Sequence, residues 1–279
     1  MKKRFQLFRY QIIPNTSSEN FNLFGDVDEL IANKNQLFMD AVNQFSGFNN
    51  HTAETNYRSL LHEGSWHVGQ VGFKRRTRLT NREFQKKNED NFPSIFFVIN
   101  NDPDRQLLII QDVSGLMKPL TFARRIIEHI NQALEKHPVE VQVESIVEPT
   151  EFWSQIHKAK GRIEAVEFKI DTPNMARISK KLPEKLKELS KATNSKSSML
   201  RLDGGKSRTL SICEDNPDIQ GLNSYISSGG GDYKIKLVGV KQEVTKNNSV
   251  KTTYIDEVTI EHPSVDALAF ALNSVLEND

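Results

Sequence analysis

The chain alternates short apolar runs with polar turns, and the spacing of its apolar positions switches between two residues and about 3.6. Residues 4–13 alternate as a strand through Phe5, Leu7, Tyr10 and Ile12, and Pro14 with Asn15, Thr16, Ser17 and Ser18 ends it in a loop. From Asp26 the positions Leu30, Ile31, Leu37, Phe38, Val42 and Phe45 predict a helix that Gly47 stops. Residues 46–63 are polar and read as loop. Trp66 to Phe73 reads as a strand in which Gly69 and Gly72 signal a bulge or a close backbone approach. The polar stretch from Thr77 to Asn91 is expected to be exposed and mobile. The clearest local signal follows: Ser94-Ile-Phe-Phe-Val-Ile99, an Asn-Asn-Asp-Pro-Asp turn, and Leu107-Leu-Ile-Ile110. Two apolar runs around such a turn predict an antiparallel hairpin buried on both faces, the centre of a first sheet.

Phe122, Ile126, Ile127, Ile130 and Leu134 then form a helical stripe, and Val139, Val141, Val143 and Val147 alternate as a strand. Pro149-Thr-Glu151 opens a short helix through Phe152, Trp153 and Ile156, with Thr150 as the expected N-cap and Gly161 as its stop. A domain boundary is placed here, dividing the chain into 1–150 and 151–279. In the second half Val166, Phe168 and Ile170 alternate with Glu167, Lys169 and Asp171 as a half-exposed strand closed by Pro173. Pro183 opens a basic helix with Leu182, Leu186 and Leu189 on one side and Lys180, Lys181, Lys185, Lys187 and Lys191 on the other. Leu200 and Leu202 lead into an Asp203-Gly-Gly-Lys206 turn from which Leu210 and Ile212 return. Ile219, Leu222 and Ile226 mark a helix ended by Gly229 to Gly231. Tyr233, Ile235 and Leu237 are expected to pair with Thr253, Ile255, Val258 and Ile260 across an Asn247-Asn248 turn, before a last helix capped by Ser264. Hairpins interleaved with single helices predict an α+β fold with mainly antiparallel sheets and helices packed on them, in two halves.

Composition narrows the function classes. Thirty-seven Lys and Arg against 36 Asp and Glu give a net charge of +1, so only local patches can favour a polyanion. The one cysteine, Cys213, excludes an internal disulfide and a thiolate zinc cluster and points to a reducing interior. The basic start is broken by Gln6, Arg9 and Gln11, and no apolar run approaches the roughly 18 residues that span a bilayer, so a cytoplasmic protein is expected. The histidines at 51, 62, 67, 129, 137, 157 and 262 have no metal-ligand spacing, and neither metal nor cofactor is expected. Asp203-Gly-Gly-Lys206 and Gly229 to Gly231 lack the frame of a phosphate loop and read as turn and helix stop.

Two features carry candidate chemistry. Glu167-Phe-Lys169 on a strand fits the Glu-x-Lys element of restriction-type nucleases, where a carboxylate holds Mg²⁺ and the lysine steadies the attacking water; Glu144, Glu148 or Glu164 would supply the second acid. Its bland counterpart is a solvated strand face. The second feature is basic. Lys74, Arg75, Arg76, Arg78, Arg82, Lys86 and Lys87 surround the single acid Glu83, and ten further cations lie between Arg177 and Arg208. Together they are candidates for contact with nucleic acid. A run of acids near the end, from Glu243 to Asp279, would make the protein dipolar.

Phe96 to Asn101, Leu107 to Ile110, the helix from Thr121, Val139 to Glu144 with Pro149 to Trp153, and Ile163 to Asn174 resemble an uncharacterised bacterial domain family associated with prophages and phage-defence islands. The resemblance spans roughly residues 60–265 and brings no catalytic signature. It implies a setting, a role in resisting phage, alone or beside a partner. The leading expectation within that setting is a sensor or adaptor that binds nucleic acid or a phage protein without catalysis. The alternatives are a Mg²⁺-dependent nuclease centred on Glu167 and Lys169 and a protein-binding subunit of a larger complex. Possible partners are thus nucleic acid or a phage or host protein, with no membrane and with an oligomer possible.

Overall fold

The computed structural model describes residues 1–14, 27–48, 54–171, 180–193, 195–205, 208–246 and 249–277. Asn15 to Ser18, Asp26, His51, Pro173, Arg177, Lys206, the Asn247-Asn248 turn and Asp279 lie outside them. The protein is α+β with antiparallel sheets. Its organising strand is β1 (Lys2–Pro14), buried from Leu7 to Ile13. One edge of β1 pairs with β7 (Leu107–Gln111). The other edge is shared end to end by β13 (Thr252–Asp256), along Lys2 to Gln6, and β8 (Val139–Ser145), along Phe8 to Pro14. Beyond β7 the sheet continues through β6 (Ser94–Asn100), β3 (Trp66–Phe73) and β2 (Thr55–Glu63).

Alternation along β1 divides the core. Phe8, Tyr10 and Ile12 face helices α1 (Val27–Asn43) and α2 (Pro119–Ala133), which contribute Leu30, Phe38, Val42, Phe122, Ile126 and Ile130. Phe5 and Leu7 face the C-terminal helices α6 (Glu257–Glu261), α7 (Val265–Ala271) and α8 (Asn273–Glu277) through Ile260, Leu268, Leu272 and Val275. The first sheet is therefore a filling between two helical layers, and the apolar area removed from water on both faces holds it there.

The predicted central hairpin is present: Phe97 opposes Ile110 and Ile99 opposes Leu108, with both strands buried. Gly69 makes the predicted close approach, because a Cβ there would sit 2.4 Å from the Phe97 ring. Other expectations are corrected. Residues 55–63, read as loop, form the edge strand β2, whose ladder partner β3 supplies the order that its own polar composition does not. Thr253 and Ile255 pair with β1 in the first sheet, and Val258 and Ile260 lie in α6, so no hairpin joins them to residues 233–237. Pro149 occupies the first helical position of α3 (Pro149–Lys158), which makes Glu148 the N-cap in place of Thr150.

The second sheet runs β10 (Ser197–Asp203), β9 (Ile163–Asp171), β11 (Gly231–Leu237) and β12 (Val244–Thr245). Phe168, Ile170, Tyr233 and Ile235 pack against α3 and α5 (Pro217–Tyr225), while Leu182 and Leu186 pack in from the neighbourhood of α4 (Glu184–Thr193). Leu210 and Ile212 form no return strand; Leu210 N–H instead donates to the Ile163 carbonyl at 2.8 Å. Between the sheets lies a π-helical turn, Ile226–Gly230. Arg9 Nε donates to Ser228 O at 2.5 Å and Val147 N–H to Ser227 O at 2.9 Å. Gly229 has φ +90°, and a Cβ there would lie 2.5 Å from Arg9 Cβ, so only glycine lets the turn meet β1 this closely. Residues 252–277, within the division 151–279, thus return to the first sheet, across a junction built by this turn.

Candidate nucleic-acid interface

The basic stretch expected to be mobile is a two-stranded ribbon, β4 (Arg75–Thr80) with β5 (Lys86–Asn91). Its order comes from the core. Strands β3 and β6 pair from Trp66↔Asn100 to Gly72↔Ser94, and the same register resumes in β4 and β5 from Arg75↔Asn91 to Thr80↔Lys86. Phe73 N–H donates to Pro93 O at 2.9 Å across the break. At the base Lys74 bridges Glu54 at 2.7 Å and Asp90 at 3.4 Å, and Arg75 Nη2 donates to Gly115 O at 2.6 Å. The Glu54 and Asp90 carboxylates hold the Lys74 ammonium above its ordinary pKa.

Cross-strand partners share a face. Arg76, Arg78 and Thr80 therefore stand with Asp90, Asn88 and Lys86, while Arg75, Thr77 and Leu79 stand with Asn91, Glu89 and Lys87 on the other side. The second face is largely self-satisfied: Arg75 is tied to the body and Lys87 pairs with Glu89 at 3.1 Å. On the first face Arg76, Arg78 and Lys86, and Arg82 at the tip, are exposed and form no ion pair among the described residues. Its single acid, Asp90, is already engaged by Lys74.

The other basic cluster is spent only in part, since Lys180, Lys185 and Arg208 are exposed and form no ion pair among the described residues. Lys181 donates to Ser228 Oγ at 2.8 Å, Lys187 pairs with Glu184 at 2.8 Å, Lys196 with Glu140 at 2.5 Å, and Arg201 with Asp203 at 2.8 Å. The two clusters thus differ in arrangement, because Arg76, Arg78 and Lys86 stand in register on one face of a single two-stranded element.

The predicted Glu-x-Lys pair is split by its neighbours. Glu167 lies 3.6 Å from Arg201 and 3.9 Å from Lys234. Lys169 instead reaches Asp171 at 3.0 Å and Glu144, one of the three acids singled out from the sequence, at 3.8 Å. These groups belong to a charged knot at the junction, completed by the buried Lys246, whose Nζ donates to Ile226 O at 2.9 Å and Gly231 O at 2.5 Å. Burial raises the Glu144 and Asp171 carboxyls and lowers Lys246. Burial also works against the Lys169 ammonium, but Asp171 and Glu144 outweigh it and hold its pKa up. An open cleft of about 610 Å³ between α2 and β8 ends at Glu144 and Lys169. Among the described residues no three His, Cys, Asp or Glu side chains are grouped to hold a metal ion. No helix among them is long and apolar enough to cross a membrane.

Phe84 escaped the sequence reading. It stands at the ribbon tip, 86% exposed, and the signal for it was a lone aromatic between Arg82 and Lys86 in an otherwise polar run. No protein-family model matches the chain, and neither a curated protein nor a solved structure is found similar to it.

Proposed function

We propose that the protein binds nucleic acid through the ribbon formed by β4 and β5, as a sensor or adaptor without catalysis. The observation that carries this is the ribbon face of Arg76, Arg78 and Lys86, cationic and without an ion-pair partner among the described residues, on an arm with no core of its own. A two-stranded ribbon is marginal in water, and like charges along one face repel. Phosphates relieve that repulsion and release condensed counterions, which is the main source of sequence-independent affinity. The family resemblance adds the phage-defence setting and brings no site residue with it.

The nuclease alternative requires a cation on Glu167, and the ion-pair partners of Glu167 are Arg201 and Lys234, whose charge opposes a metal there. Docking of an acidic protein on the same face is separated from nucleic-acid binding by experiment. In a salt titration with a short DNA duplex, the Arg76→Ala/Arg78→Ala/Lys86→Ala variant should bind more weakly. Its slope of log K against log salt should be smaller by about 0.9 for each phosphate contact removed. Wild-type protein that fails to bind DNA or RNA at about 50 mM salt, where such contacts are strongest, would overturn the proposal in favour of a protein partner.

A further inference from the structure

The ribbon ends in an apolar ring that packs against no other ring among the described residues. Phe84 is 86% exposed and has φ 59°, the left-handed region that a bulky residue seldom occupies. The loop that holds it there is tightly bonded. Asn81 Oδ1 accepts from Glu83 N–H at 3.0 Å and Gln85 N–H at 2.9 Å. Asn81 O accepts from Phe84 N–H at 3.1 Å, and Asn81 N–H donates to Gln85 O at 3.0 Å. One asparagine thereby fixes the turn, and the turn fixes a ring pointing away from the body. Local strain that presents an apolar side chain to water contributes nothing to this fold, and such strain gathers at functional sites.

Resting on the proposed function above, we infer that the arm lies along double-helical DNA and that Phe84 is a wedge inserted between base pairs at its tip. Each strand of the ribbon, six residues at about 3.3 Å per residue, is about 20 Å long, roughly six base-pair steps. Two-stranded ribbons enter the minor groove as well as the major, and the minor groove is the side from which such wedges are inserted. Arg76, Arg78 and Lys86 would then face phosphates while Arg82 and Lys86 flank the ring on either side in sequence. An apolar wedge of this kind unstacks one step and kinks the duplex. A single strand fits less well, because binding there uses successive aromatic platforms. The ribbon carries one aromatic, at its end, and its other apolar residue, Leu79, is on the opposite face from the Arg76 row.

The test uses the full chain and a duplex of about 30 base pairs labelled at both ends for energy transfer. Wild-type protein should shorten the end-to-end distance, by a kink within roughly 20–90°. Phe84→Ala, which removes an exposed ring and should melt like wild type, is expected to lose the kink and about tenfold in affinity while keeping the wild-type salt slope. Phe84→Trp should retain the kink, and its indole emission should be quenched on binding against the two buried tryptophans, Trp66 and Trp153. An unchanged kink and affinity in Phe84→Ala would overturn the wedge while the salt slope still upheld the arm. Tighter binding of a single strand of equal length would overturn the duplex assignment. Absence of binding by wild type at low salt would overturn both.

Discussion

One hairpin in this molecule has two chemistries. Its inner half, β3 with β6, is buried between helical layers and reads Val68, Val71, Ile95, Phe97 and Ile99. Its outer half, β4 with β5, continues the register into water and reads Arg76, Arg78, Lys86 and Asp90. Backbone pairing is common to both, so pairing is not what keeps the inner half in the sheet. The difference lies in what each side chain gains by leaving water. The inner strands order the outer ones by register, and the outer ones present charge at a fixed distance from the core. Stability and binding are therefore expected to separate along the length of a single hairpin.

The largest effect expected from that separation is on the inner half. Phe97 is 1% exposed and its ring lies within 6.4 Å, centroid to centroid, of Tyr57, Phe45, His67 and Phe122. Phe97→Asp would bury a carboxylate without a cationic partner and leave the aromatic cluster unfilled, which should cost more than about 4 kcal/mol. Urea or thermal unfolding measures it. A soluble variant melting within a few degrees of wild type would show that the inner half is not the anchor of the hairpin.

A smaller effect, also confined to the inner half, is set by pH. His67 on β3 is 2% exposed, with Tyr57 Oη 2.8 Å from its Nε2 and His62 Nδ1 3.2 Å from its Nδ1. Burial lowers its pKa from 6.5 to about 4, with the nearby His62 adding to the shift. A depressed pKa disfavours the protonated ring in the folded state. Its contribution is full above about pH 6.5 and is lost as pH falls from there towards about 4, as the unfolded chain takes up a proton that the folded chain refuses. A difference of this size amounts to about 3 kcal/mol. In His67→Gln the acid side of the stability curve should be flatter by an amount of that order. Equal steepness in wild type and variant would move the acid sensitivity elsewhere.

The same contrast explains which parts of the fold were legible in the sequence. The inner strands announce themselves because Ile95 to Ile99 and Leu107 to Ile110 are apolar runs set off by a turn. The outer strands do not. Arg75 to Thr80 has a single apolar residue, Leu79, and its extended shape comes from the strand before it rather than from its own preferences. Edge strand β2 was hidden in the same way by Asn56, Ser59 and His62. Thr253 and Ile255 were legible as strand, but their partners Phe5 and Lys3 are some 250 positions away, and spacing along the chain cannot choose between neighbours that distant. The basic residues of the site could be named in advance, but not their sorting into a free face and a tied one, which depends on register. Lys169 and Glu144 could likewise be named, whereas their meeting with Asp171 and Lys246 required two sheets to be brought together.

The smallest expected effect divides the outer half itself. Arg75 and Arg76 are adjacent, equally charged and both exposed, so composition treats them alike. They point to opposite faces: Arg75 donates to Gly115 O on the body, and Arg76 joins the row with Arg78 and Lys86. Arg76→Ala should lower the slope of log K against log salt for duplex DNA by about 0.9, the share of one phosphate contact. Arg75→Ala should leave that slope within error, because its guanidinium is already committed to a carbonyl. Neither change should cost more than about 1 kcal/mol in stability, since both side chains are exposed and a surface hydrogen bond contributes little. Equal slopes for the two variants would mean that DNA senses the arm as a diffuse cloud of charge. A larger loss at Arg75 would place the contact on the Leu79 face, and with it would fall the choice of Arg76, Arg78 and Lys86 as the binding row.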